Sequence, residues 1–204
     1  MQQPQHILIR LPNWLGDMVM STALVKAVAV QYPRARIDLI AKKGIDFLLE
    51  YFPPHGRRYI FSRDVYKGLT GAWRFGKEIR DQQQYDLFIC LPDSFSSAVM
   101  AKASGARVRI GYKKELRSAL FTQTYHKQKQ LHRVEEYVNL LQQYVKRDLA
   151  IPSVGLGMPG SEKERRLVIN INSEAESRRL PVNKAISLIN GIRQQIEEEI
   201  ILVG

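Results

Sequence analysis

The chain has 204 residues, 45% of them hydrophobic and 25% charged, which suits one or two globular domains and excludes a largely disordered chain. Lys and Arg number 31 against 20 Asp and Glu, so the net charge is +11 and an anionic partner is implied: nucleic acid, an anionic membrane surface or a phosphorylated substrate. One cysteine, Cys90, excludes an intramolecular disulfide and fits a reducing, cytoplasmic setting.

Strand-length apolar runs alternate with helical patterns. Strands are expected at 6–11, 36–42, 58–62, 85–91 and 107–112, and helices at 17–32, 44–52, 71–83, 96–104 and 132–147. Pro33 ends the first helix, and Pro53-Pro54 stop the second. The stretch 152–166, rich in Pro, Gly, Ser and charge, reads as a linker. After it comes one βαβ pattern: strand 167–172, helix 182–199, strand 200–204.

The alternation implies an α/β fold, a Rossmann-like doubly wound parallel sheet. The expected domains are 1–148, a linker at 149–166, and 167–204 as the truncated start of a second Rossmann-like domain. A lone βαβ unit is too small to bury a core of its own. No apolar run reaches the roughly 20 residues that span a bilayer. The opening MQQPQH has no basic segment followed by an apolar core, so no secretory signal is expected.

In a doubly wound sheet, ligands bind outside the carboxyl ends of the strands. The loops to watch are therefore Pro12–Asp17, Pro92–Phe95 and the segment after Tyr112. Asp17 has two readings. It is a helix N-cap, stabilised by the dipole by roughly 0.3–1 kcal/mol, with Gly16 allowing a tight turn. Alternatively it is a carboxylate held at a ligand site, beside amides that receive phosphate. Trp14 either packs on the core or walls that site.

Other chemistries leave no trace. There is no G-x-G-x-x-G after the first strand, no P-loop, no G-x-S-x-G and no D-x-D pair. His6, His55, His126 and His132 lack metal-ligand spacing. Arg107, Arg109, Lys113, Lys114 and Arg117 form a basic cluster, which is either a solvated face or an anion site.

Three segments together resemble the ADP-heptose:lipopolysaccharide heptosyltransferases of glycosyltransferase family 9, the heptosyltransferase II type in particular. They are LPNWLGDMVMSTAL, YDLFICLPDSFSSAVMAKASGARVRIGY and, more loosely, LVININSEAESRRLP. The resemblance implies a glycosyltransferase B type fold, with an N-terminal acceptor domain and a C-terminal donor domain. It implies inverting transfer of heptose from ADP-heptose to the phosphorylated sugar–lipid of the lipopolysaccharide inner core, with no metal and no other cofactor. Asp17 matches the family's base, which would take the proton of the attacking hydroxyl.

On the acceptor side the resemblance places Asn13, Trp14, Ser94, Ser97, Arg109, Lys113 and Arg117. On the donor-phosphate side it places Gly16, Ser173, Arg178 and Arg179, with Arg178 standing where the family often has lysine. Ser94 serves equally as a helix cap. The family carries its adenine and ribose contacts beyond the stretch corresponding to Gly204, so this chain alone is expected to have little activity. The implied setting is cytoplasmic, peripheral on the anionic inner-membrane surface. The competing reading is a non-catalytic module for anionic glycolipid or membrane. A nucleic-acid partner is not expected, since no RRM, KH or helix-turn-helix signature is present.

Overall fold

The computed structural model describes residues 3–160, 165–171 and 179–203. It divides into two compact units, Met1–Met158 and Pro159–Gly204. The first unit holds strands β1 (His6–Arg10), β2 (Arg36–Lys42), β3 (Arg58–Phe61), β4 (Leu87–Cys90), β5 (Val108–Tyr112) and β6 (Gln123–Tyr125). Its helices are α1 (Leu15–Met20), α2 (Thr22–Gln31), α3 (Gly68–Gln82), α4 (Phe95–Ala103) and α5 (Arg133–Val145). The second unit has β7 (Arg166–Asn170), α6 (Val182–Arg193) and β8 (Glu199–Val203), with β7 parallel to β8.

The six strands form one sheet, ordered β3-β2-β1-β4-β5-β6, with every pairing parallel. This is the Rossmann-like order, and its direction reverses between β1 and β4. The central strands are apolar on both faces, as parallel strands covered by helices must be. Along β1, Ile7 and Ile9 enter one core with residues of α2 and α5. Leu8 enters the opposite core with residues of α3 and α4. This period of two assigns one helix layer to each face.

Besides the helix expected at 182–199, which ends at Arg193, the structure departs from the expected elements in four places. The helix expected at 17–32 begins at Leu15 and breaks at Ser21. There Ser21 Oγ donates to Met18 O at 2.6 Å and Thr22 Oγ1 to Val19 O at 2.7 Å, side-chain bonds that compete with the helical ladder. The helix expected at 44–52 is a 3₁₀ segment, Asp46–Tyr51. A second 3₁₀ segment, Glu115–Leu120, and the short polar edge strand β6 were not legible in the pattern.

The fourth departure concerns the stretch expected as linker, which is in part fastened to the first unit. Lys26 Nζ donates to Ser153 O, Gly155 N to Thr22 Oγ1, and Gly157 N to Tyr51 O. Among the described residues, no helix is long and apolar enough to cross a membrane.

Candidate functional site at the strand switch point

From β1 the chain crosses to β2 on one side; from β4 it crosses to β5 on the other. A crevice therefore opens between the loops that leave Arg10 and Cys90, at the carboxyl end of the sheet. Pro12, Asn13, Trp14 and Asp17 from the first loop meet Pro92, Asp93 and Ser94 from the second, and α5 contributes Arg133 and Tyr137. The cleft measures about 200 Å³.

Asp17 is not an N-cap. The cap position of α1 is Trp14, whose side chain makes no capping bond, and Asp17 lies in the first turn. Gly16 is helical and has no positive φ, so it serves no tight turn. A Cβ placed on Gly16 would meet nothing within 4 Å, which leaves the backbone open to approach. Trp14 is 62% exposed and lines the cleft rather than the core.

Asp17 Oδ1 lies 3.7 Å from Arg133 Nε, and a chain of ion pairs runs from there to Asp93. Arg133 Nη1 sits 2.9 Å from Glu136 Oε1, and Lys127 Nζ lies 2.9 Å from the same oxygen. Lys127 Nζ also lies 2.6 Å from Asp93 Oδ2, while Arg117 Nη1 reaches Asp93 Oδ1 at 3.3 Å. The base candidate and the Asp93–Ser94 loop thus share one electrostatic network. Arg133 stands in the first turn of α5, where the helix dipole disfavours a cation, and Glu135 and Glu136 beside it offset that cost. Tyr137 is pushed well above the ordinary phenol range, by burial first and by the Asp17 charge second.

Beneath the first loop sits Arg10, 2% exposed, with no carboxylate partner among the described residues. It donates to Leu11 O at 2.7 Å, Ile40 O at 3.3 Å and Asn13 Oδ1 at 2.6 Å. Burial lowers its pKa to about 10. Arg10 therefore pins the loop that carries Asn13 and Trp14. Nearby, burial pushes the Cys90 thiol up to about 11, with Arg117 and Arg10 opposing the shift, so Cys90 is a packed thiol and not a nucleophile.

A second cavity of about 330 Å³ adjoins the cleft through Asp93 and Ser94, and is completed by Phe95, Lys114, Leu116 and Arg117. Ser94 caps α4, accepting from Ser97 N at 3.3 Å, and its hydroxyl is 2.7 Å from that of Ser97. Ser94 thus serves as the cap and lines both cavities. Ser97 is buried behind it. Arg117 is 2% exposed, lies over the Phe121 ring, and leaves its Nε without a hydrogen-bond partner.

The structure does not bring Arg109 to the cleft. Its guanidinium turns back to Ala106 O at 2.6 Å and Leu120 O at 3.2 Å, carbonyls at the amino end of β5 and β6. Arg109 is a clamp between β5 and the 115–120 turn, because those unpaired carbonyls lie within its reach. Lys113 is exposed at the end of β5, and it is its neighbour Lys114 that lines the second cavity. In the second unit Arg179 is exposed, while Ser173 and Arg178 lie outside the described residues. Arg10, Asp93, Lys127, Arg133, Glu136 and Tyr137 were missed in the sequence. Only Arg10, a cation ending an apolar strand, carried a visible signal. Among the described residues, no three His, Cys, Asp or Glu side chains gather as metal ligands.

Known proteins match the chain over part of its length. The chain is 38% identical over 125 residues to lipooligosaccharide heptosyltransferase 2 of Haemophilus ducreyi, covering 56% of this chain and 32% of that protein. With lipooligosaccharide heptosyltransferase 2 of Haemophilus influenzae it shares 33% over 143 residues, 69% of this chain and 38% of that one. It therefore spans about a third of the length of the curated relatives it matches.

Among solved structures, Escherichia coli ADP-heptose lipopolysaccharide heptosyltransferase II superposes with a TM-score of 0.78 at 22% identity, over 98% of this chain and 64% of that one. An E. coli heptosyltransferase solved with ADP-2-deoxy-2-fluoro heptose gives 0.79 at 15% identity, over 98% and 69%. These likenesses carry the fold. The family model described as "Glycosyltransferase family 9 (heptosyltransferase)" matches residues 72–189, more than half of the chain, and the chain belongs to that family.

Proposed function

We propose that the first unit is the acceptor half of an inverting heptosyltransferase, with Asp17 as the base. The observation that carries this reading is the crevice at the β1/β4 switch point. There a partly exposed carboxylate faces a serine-capped helix start and a line of ion pairs that begins at Arg133. Inversion requires an acceptor hydroxyl to attack the anomeric carbon from the face opposite the diphosphate, losing its proton as the bond forms. Asp17 takes that proton, and Arg133 holds its carboxylate from one side. Lys114 and Arg117, beside Ser94, suit a phosphate or carboxylate of an inner-core sugar–lipid.

The donor is an ADP-sugar, as relatives with ADP-heptose in their names suggest. Open backbone at Gly16 leaves room for its diphosphate. Ser173, Arg178 and Arg179 would stabilise the departing charge without a metal. The described second unit supplies two strands and one helix, so turnover by this chain alone is expected to be small.

The test is heptose transfer from ADP-heptose to an inner-core acceptor, measured for the native chain and for Asp17→Asn. Loss of a general base costs roughly a hundredfold or more in rate. Turnover that survives Asp17→Asn would overturn the assignment of the base. Brisk turnover by the native chain that Asp17→Asn abolishes would overturn only the expectation of low activity.

A further inference from the structure

The cleft leaves unused the most conspicuous exposed face of the first unit, the loop from β3 to α3 and the first turns of α3. Val65 is 57% exposed, Leu69 50% and Trp73 45%. Leu69 and Trp73 stand one helical turn apart on α3, and Lys77 continues the same stripe. The opposite face of α3 is the buried one, carrying Ala72, Phe75 and Ile79. An indole and a leucine in water on one stripe, with Val65 exposed in the turn before them, need a reason.

The charge around them supplies it. From Arg63 to Glu78 the chain carries Arg63, Lys67, Arg74 and Lys77, all exposed, against Asp64 and Glu78; Glu78 pairs with Arg74 Nε at 3.6 Å and accepts from the Tyr66 hydroxyl, so Arg63, Lys67 and Lys77 remain in excess over Asp64. Next along the sheet, the end of β2 and the segment after it add Lys42, Lys43 and a 58% exposed Phe47. The two loops are adjacent, since Lys43 N donates to Phe61 O at 2.9 Å. Of the two carboxylates that follow, Asp46 is engaged by Gly44 N–H at 2.8 Å, and Glu50 is exposed.

We propose that this face, centred on Trp73 and Leu69, seats the protein on an anionic phospholipid bilayer. Tryptophan and short aliphatics enter the headgroup boundary, while lysine and arginine stay at the lipid phosphates. A protein partner fits less well, because lysine is depleted at the centre of such interfaces. The loops after β2 and β3 lie at the carboxyl end of the sheet, the end that carries the Asp17 cleft. Seating there brings the cleft to the surface in which a sugar–lipid acceptor is embedded. That consequence rests on the proposed function, whereas the docking itself does not.

The experiment uses the chain with vesicles of phosphatidylcholine containing phosphatidylglycerol, and with vesicles of phosphatidylcholine alone. In a Trp14→Phe background Trp73 is the sole indole, since the chain has two tryptophans. The expected result is co-sedimentation with the anionic vesicles only, with a blue shift of Trp73 emission and protection from an aqueous quencher. Each cation near the surface is worth about fivefold in partitioning, so Lys67→Gln with Lys77→Gln weakens it roughly twentyfold or more. Lys102→Gln, exposed on the last turn of α4, leaves partitioning within about twofold of the native value.

Three results overturn the proposal. One is the absence of binding to anionic vesicles. Another is binding with unshifted Trp73 emission or insensitivity to Lys67 and Lys77, which would hand the role to another basic face. The third is self-association through Trp73 without vesicle binding, which would make the patch an interface between two copies. Transfer activity enters none of these readouts, so a failure here is distinct from a failure of the Asp17 assignment.

Discussion

Replacing Arg10 by methionine separates stability from function at the loop beneath the cleft. The guanidinium is buried and its pKa falls to about 10, chiefly through desolvation. Such a shift corresponds to a cost of about 3 kcal/mol for carrying the charge in the folded state at neutral pH. The sign follows from linkage. A cation with a depressed pKa destabilises the fold below about pH 10, and the cost fades as pH rises beyond that.

Methionine removes that cost and retains most of the packing volume. It orphans one carbonyl, Leu11 O, at roughly 1–3 kcal/mol, while Ile40 O keeps Leu11 N–H at 2.9 Å. The net expectation is a fold unchanged or stabilised by up to about 2 kcal/mol, with the Asn13–Trp14 loop released. Urea unfolding followed by tryptophan emission reads this directly, since Trp14 and Trp73 both belong to the first unit. With a slope near 1–3 kcal/mol per molar urea, the midpoint rises by no more than about 2 M. Acceptor affinity falls in the same variant. A midpoint lowered by more than about 1 M would show that the buried guanidinium stabilises the fold on balance, and would refute the reasoning.

Three further outcomes follow from named contacts. Gly76→Ala would place a Cβ 2.6 Å from Met100 O and 2.7 Å from Ala103 Cβ where α3 meets α4, so thermal unfolding should show a loss of roughly 1–3 kcal/mol. Arg133→Gln, with a side chain 41% exposed, should change stability by less than about 1 kcal/mol yet weaken acceptor binding, as paired calorimetric scans and titrations would show. Tyr85 donates to the fully buried Asp38 at 2.6 Å, and burial with that bond raises its pKa. A raised folded-state pKa gives stability that is intact below about pH 10 and lost as pH climbs beyond it. Alkaline unfolding followed by phenolate absorbance should therefore flatten in Tyr85→Phe.

What the sequence disclosed follows from the kind of signal each feature leaves. Central strands such as β1 and β4, buried on both faces, read as unbroken apolar runs. The loops at their carboxyl ends could be picked out because the fold class dictates where ligands bind, and Asp17 and Ser94 do line one cleft. The edge strand β6 is three residues of Gln, Thr and Tyr, too short and polar to show a period. The ion-pair line through Asp93, Lys127 and Glu136 joins residues distant in the chain, and such pairs leave no local pattern. Arg109 shows the converse: its place in a matching motif suggested a ligand contact, while its side chain bends away to satisfy backbone carbonyls. Asp17 looked like a cap because the helix start was placed two residues late.

The most direct test of the acceptor cleft is calorimetric titration of the chain with a phosphorylated inner-core oligosaccharide freed of its lipid. The account predicts saturable binding that Asp17→Asn leaves nearly unchanged, and that Lys114→Gln weakens about tenfold, on the scale of one charge-assisted contact. Absence of binding, or binding indifferent to Lys114, would contradict the assignment of the switch-point crevice with its adjoining cavity as the acceptor site.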